Sequence, residues 1–234
     1  MYQQLEPARI IATLDKLHAR IVARFPDSGL SKVCEELVAV AKSSSAQAAR
    51  LAKPNWPLRL LAIAIIVGGI AAQIAAAQLI RIDGMEADFS LLESLEAAVN
   101  LLILFGAAAW FLLTLEERFK RQRALDALHQ LRAMAHVVDM HQLTKDPTVL
   151  LAKASVTAVS PKRPMTRFEL TRYLDYCAEM LALIGKLAAL YAERMRDGVV
   201  IEAVNDLESL STNLGRKIWQ KIMILSALEE RPPS

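Results

Sequence analysis

Two apolar runs decide the fold of this chain: LRLLAIAIIVGGIAAQIAAAQLI at residues 58–80 and AAVNLLILFGAAAWFLLTL at residues 97–115. Apart from Arg59 at the beginning of the first run, neither contains Lys, Arg, Asp or Glu. A helix rises about 1.5 Å per residue, so about 20 residues cross a hydrocarbon layer about 30 Å thick. Every backbone polar group must be paired in lipid, which favours helices. The two runs therefore predict a transmembrane helical hairpin with a short external connector at residues 81–96.

Positive charge flanks this hairpin on the side of the chain termini. The residues concerned are Arg50, Lys53, Arg59, Arg118, Lys120, Arg121 and Arg123. The connector is acidic, with Asp83, Glu86, Asp88, Glu93 and Glu96 against Arg81. Because Lys and Arg near the ends of spans stay in the cytoplasm, we expect an integral protein of the cell inner membrane with both termini cytoplasmic.

The composition favours an all-α protein and argues against a nucleic-acid partner. Only 8 Gly and 9 Pro occur among 234 residues, and aromatic residues make up 6%. Ala and Leu, both good helix formers, dominate the chain. The net charge of +3 is too small to indicate binding to nucleic acid. Cys34 and Cys177 both fall on the predicted cytoplasmic side, where thiols stay reduced, and are expected in the core.

Outside the two runs, helical periodicity predicts a cytoplasmic bundle. A first helix begins near Pro7 and ends at Phe25, and a second covers residues 31–52. The second span is expected to begin at a capping box, Ser90 with Glu93, and to continue to about Gln142 because no Pro or Gly interrupts it. The predicted domains are residues 1–55 (N-terminal helices), 56–117 (transmembrane hairpin), 118–158 (extension of the second span plus a short helix at 148–156), 159–165 (linker) and 166–234 (C-terminal αα-hairpin).

The C-terminal hairpin should contain the most buried helix of the bundle. Thr166 and Glu169 form a capping box that opens a helix predicted to end near Asp197 and Gly198. Two apolar seams run side by side along it, so we expect neighbours on two sides. The last helix follows Gly198 and carries its own seam, namely Val200, Val204, Leu207, Leu214, Ile218 and Leu225.

Small and polar residues interrupt the apolar runs at helical spacing. Ala64, Gly68, Ala72 and Ala76 recur every four residues and predict a stripe for close helix packing. Gln73 and Asn100 are amides at lipid depth, where polar groups need partners. Two interpretations stay open: the amides hydrogen-bond across the hairpin or between subunits, or they line a polar pore in an oligomer.

The candidate polar stripe lies on the extension of the second span. Asp126, His129, Arg132, His136 and Asp139 are spaced three, three, four and three residues apart, so they share one helical face. The stripe is either a solvated or salt-bridged face, a structural polar network, or a metal, pH-sensing or acid–base site. Its metal-binding role is unknown, and no catalytic residue or cofactor is assigned.

An aromatic and basic cluster near the predicted linker offers a second candidate. Phe168, Tyr173 and Tyr176 lie close in sequence to three arginines, Arg163, Arg167 and Arg172. The cluster is either part of the core with helix-start charges or a site for an anionic or nucleotide ligand.

The whole arrangement is similar in outline to small two-span membrane effectors and scaffolds of bacteria. It favours a non-enzymatic protein that contacts the lipid bilayer, forms a homo-oligomer and acts as a membrane effector, channel or scaffold controlled by its cytoplasmic helices. Two alternatives remain. One is a membrane-anchored enzyme or a metal or pH sensor using residues 126–139, and the other is an adaptor that docks a soluble cytoplasmic protein through residues 166–234.

Overall fold

A computed structural model describes residues 5–51, 53–82, 87–145, 147 and 165–227, and in this part the chain is all-helical, as predicted. The helices are α1 (Pro7–Arg24), α2 (Gly29–Leu51), α3 (Trp56–Ile82), α4 (Ala87–Leu143), α5 (Arg167–Arg194) and α6 (Gly198–Ala227). They divide between two compact units. The terminal unit comprises the described parts of Met1–Ala52 and Arg123–Ser234, and the apolar unit those of Lys53–Gln122.

The first two helices of the terminal unit follow the predicted pattern, with one shift at a boundary. α1 starts with Pro7 and buries Ile10, Leu14, Leu17 and Ile21 on one face. α2 begins at Gly29, two residues before the predicted start at Ser31. The reason is a local cap: the Ser28 hydroxyl accepts a hydrogen bond from the Ser31 backbone N–H at 3.1 Å.

Helix α5 is the most buried helix of the terminal unit. The predicted capping box is confirmed, because Thr166 and Glu169 each bond the other's backbone N–H. Both apolar seams of α5 are buried, and the helix packs against α1, α2 and α6. It ends at Arg194, before the predicted Asp197. Asp197 instead caps α6, where its carboxylate accepts the N–H of Val199 at 3.0 Å.

Helix α4 belongs to both units and spans 57 residues. Its predicted continuation to about Gln142 is confirmed, and in its last part Leu128, Leu131, Ala135 and Val138, spaced three and four residues apart, are buried. It starts at Ala87 rather than at Ser90. The side chains of the predicted Ser90–Glu93 capping box lie outside the described residues, as do the predicted helix at 148–156 and the linker up to residue 164.

Two helical stretches are long and apolar enough to cross a membrane. They lie within Gly29–Ala75 and Leu95–Leu143, each of which contains an 18-residue window; the mean hydropathy of these windows is 2.1 and 2.2, and their buried share is 11% and 6%. An apolar helix in the core of a soluble protein is mostly buried instead. The apolar side chains of these windows are thus exposed at the surface of the chain.

Candidate functional site

In the apolar unit, α3 and α4 meet along a seam in which Gly69 of α3 faces Phe105 of α4. The phenyl ring of Phe105 lies directly over Gly69, where an added Cβ would meet the ring atom Cδ2 at 2.5 Å. Ala62 and Ala109 are also buried, with exposures of 2% and 5%. Small residues on each helix therefore give room for the close approach of its neighbour.

Gln73 has its hydrogen-bond partner within the apolar unit. Its side-chain Nε2 donates to the backbone carbonyl of Ala98 at 2.6 Å. The sequence placed Gln73 and Asn100 at similar depth, but their amides do not bond to each other. Asn100 is exposed, and no hydrogen bond joins its amide to another described residue. Pairing of Asn100 between subunits therefore stays a prediction.

A buried carboxylate joins the two helices at the other end of the seam. Glu116 is only 4% exposed and accepts hydrogen bonds from the Asn55 backbone N–H at 2.8 Å and from Arg59 Nε at 3.3 Å. Lys120 Nζ lies 2.7 Å from the same carboxylate. A buried charge is tolerated when it is paired in this way. Sequence reasoning missed this group, although Glu116 is the first charged residue after the second apolar run.

The predicted small-residue stripe lies outside the seam. Ala64, Gly68 and Ala72 are exposed, and a Cβ added at Gly68 would meet nothing within 4 Å. The side chain of Ala76 is outside the described residues. In the apolar unit the neighbouring glycine, Gly69, makes the contact with α4 instead.

The predicted polar stripe on α4 is mostly a solvated face. His129, His136 and Asp126 are exposed. Arg132 forms an ion pair with Asp206 of α6 at 3.7 Å, and Asp139 accepts a hydrogen bond from Gln142 at 2.6 Å.

No group of three or more metal-ligating side chains occurs in the described part of the chain. The nearby His141 is half-buried against Gly29, and burial together with the charge of Lys145 lowers the pKa of its imidazole. Its neutral form is thereby favoured.

The second candidate cluster divides between core and surface. Tyr173 and Tyr176 are buried and pack edge-on against Phe25, at ring-centroid distances of 5.6 and 6.3 Å. Phe168 is 62% exposed, and the guanidinium of Arg24 lies 5.0 Å from its ring centroid. Arg163 lies outside the described residues. The structure adds Arg20 and Arg24 of α1, which lie far from the cluster in sequence and could not be assigned to it from periodicity.

The two thiols are core residues, as predicted. Cys34 and Cys177 are fully buried, and burial raises the pKa of each thiol to about 12. A thiol with such a pKa is protonated at neutral pH and is a poor nucleophile.

Comparison with protein-family models, curated proteins and solved structures finds no match to this chain in any of the three.

The adjacent glycines of α3 provide a matched test of the seam. Replacing Gly69 by Ala should destabilise the α3–α4 contact by about 1–3 kcal/mol, because the methyl group overlaps the ring of Phe105. Gly68→Ala, at an open position, should leave stability unchanged or slightly raised. Thermal unfolding of both variants in detergent checks this, and equal melting temperatures would contradict the observed seam.

Proposed function

We propose that the chain is an integral inner-membrane protein in which α3 and α4 form a transmembrane hairpin and both termini are cytoplasmic. The exposure of the apolar windows carries this proposal, since only 11% and 6% of them are buried. Large apolar side chains on these helices are exposed, for example Leu104 at 63% and Trp110 at 74%. An apolar surface this extensive marks contact with lipid or with another protein.

The remaining helices contrast with this surface, which supports an aqueous location for them, and the positive charge beside the apolar runs favours the cytoplasmic side. α1, α2, α5, α6 and the last part of α4 bury their apolar faces in one core. Polar contacts tie the helices together: Tyr191 donates to the Ser44 carbonyl at 3.2 Å, and Lys221 to the Gln142 side chain at 2.6 Å. We infer a cytoplasmic helical bundle that folds in water.

The proposed role is that of a self-associating membrane effector, channel or scaffold. Exposed Ala64, Gly68 and Ala72 form a smooth surface that a helix of a second copy can approach closely. Asn100 supports association as well, because an exposed amide at lipid depth is stabilised by a partner from another copy.

Two spans do not enclose a pore, so conduction would require several copies. The continuous helix α4 belongs to both units. Through this helix, the binding of a ligand or partner to the bundle would influence the membrane segment.

Crosslinking in membranes tests self-association through the stripe. Gly68→Ile should reduce the crosslinked dimer by about threefold or more, because a bulky side chain holds the two helices apart. The control is Ile70→Phe, which adds bulk about 200° around the same helix. A wild-type chain that is strictly monomeric, or equal dimer yields in the two variants, would refute this interface.

A docking adaptor is the second candidate, and one feature of the α5–α6 pair favours it. A groove of about 560 Å³ runs between these helices past Gly185 and Gly215, with Trp219 along its edge. Trp219 is 56% exposed, and the Ser211 hydroxyl in the groove is buried with no hydrogen-bond partner among the described residues. By contrast, no comparable feature favours the enzyme or metal-sensor alternative at residues 126–139.

If the chain is an adaptor, a change in the groove should remove one specific soluble protein from those that co-purify with it. Trp219→Ala should remove that protein from the set that co-purifies with the full chain, because exposed tryptophans are frequent anchors of interfaces. Val199→Ala, at an exposed position outside the groove, should retain it. Quantitative mass spectrometry of the co-purified proteins checks this, and identical sets for both variants would exclude docking at the groove.

A further inference from the structure

An open cleft on the terminal unit is lined mainly by arginines. Among the described residues its walls are Arg20, Ala23 and Arg24 of α1 and Arg172 and Tyr176 of α5. Its volume of about 570 Å³ lies within the usual range of small-molecule sites, about 300–1,000 Å³. No acidic side chain is among these lining residues.

We propose that this cleft binds a phosphate-bearing anion, with Arg20, Arg24 and Arg172 as its hydrogen-bond donors. The three guanidinium groups come from two helices, and each offers a planar set of N–H donors that suits phosphoryl oxygens. Arg20 and Arg24 lie four residues apart on α1, where like charges repel. A bound anion relieves that repulsion.

Two of the arginines are held in place by carboxylates that stand outside the cleft lining. Arg20 makes a two-pronged contact with Glu179, with Nη1 3.2 Å from Oε1 and Nη2 on Oε2. Arg172 Nη1 lies 2.9 Å from the Asp175 carboxylate. The hydrogen bond from Arg20 to Glu179 raises the pKa of its guanidinium further. These contacts fix the side chains in advance, which lowers the entropy lost on binding.

Aromatic rings orient the same guanidinium groups. The Cζ atoms of Arg20 and Arg172 lie 5.6 and 5.2 Å from the ring centroid of Tyr176, and Arg24 lies over Phe168. Such stacking covers the face of a guanidinium and leaves its N–H edge for an acceptor.

Arg24 differs from the other two arginines in its ion pairing. Within the described chain no carboxylate forms an ion pair with it, whereas Arg20 and Arg172 each have one. Glu169, whose pKa Arg24 helps to lower, is engaged by Thr166 in the capping box. The three lining arginines therefore keep one positive charge in excess of the paired carboxylates of Glu179 and Asp175, which attracts an anion to the cleft.

Calorimetric titration of the full chain in neutral detergent with inorganic pyrophosphate at low salt tests the site. We expect saturable binding of one pyrophosphate per chain. Arg24→Gln should weaken it about tenfold, the usual effect of removing one charged hydrogen bond. The matched control is Arg194→Gln, which removes an exposed arginine 22 residues along α5 from Arg172, about 33 Å by helix rise, and should change the affinity less than about twofold.

Two outcomes would overturn the proposal: no saturable binding by the wild-type chain, or equal weakening by the two variants, which would indicate a diffuse charge effect. Nanodiscs distinguish a soluble phosphate compound from a lipid headgroup as the source. If phosphatidic acid in a phosphatidylcholine disc competes with pyrophosphate, the anion is a headgroup, and if it does not compete, the anion is soluble. Either result retains the phosphate chemistry of the cleft.

Discussion

The exposed apolar surface of α3 and α4 is the constraint on which the rest of the proposed architecture depends. In water, each large apolar side chain left uncovered forgoes about 1.5–3 kcal/mol that burial provides. Ile63, Leu102, Leu104 and Phe111 are all at least half exposed, at 53%, 58%, 63% and 60%. A surrounding hydrocarbon phase removes this penalty. It also requires partners for the polar groups on these helices: Gln73 and Glu116 have theirs within the chain, whereas Asn100 has none among the described residues.

Those polar contacts lie towards opposite ends of the α3–α4 seam. At one end, Gln73 donates a hydrogen bond to the carbonyl of Ala98. At the other end, the Glu116 carboxylate accepts a hydrogen bond from the Asn55 backbone N–H and forms ion pairs with Arg59 and Lys120. Between them the contact is made by Gly69 against Phe105 and by small buried residues. A hydrogen bond and a paired charge fix the relative register of two helices whose apolar surfaces alone would allow sliding. The stripe at Ala64, Gly68 and Ala72 takes no part in this contact and stays exposed.

Much of the fold follows from residue periodicity, and the exceptions have local physical causes. The seams of α1, α5 and α6 were predicted because a buried face recurs at three and four residues, as Leu14, Leu17 and Ile21 do. The start of α2 was misplaced because the Ser28 cap contributes a single short-range hydrogen bond that periodicity does not register. Gly69 and Gly68 are adjacent and chemically identical in sequence, so only three-dimensional structure reveals which of them faces Phe105. The arginine cleft combines Arg20 of α1 with Arg172 of α5. Only tertiary packing brings these two residues together, so the cleft could not be predicted from the sequence either.

The central claim is that lipid surrounds the two apolar runs, and alkaline extraction of membranes from expressing cells tests it most directly. Carbonate at high pH strips peripheral proteins and leaves integral ones in the bilayer. We predict that the full chain stays in the membrane pellet and enters solution only with detergent. A chain that is released by carbonate and remains a compact monomer without detergent would contradict the account, because residues 58–80 and 97–115 would then have to be covered by protein.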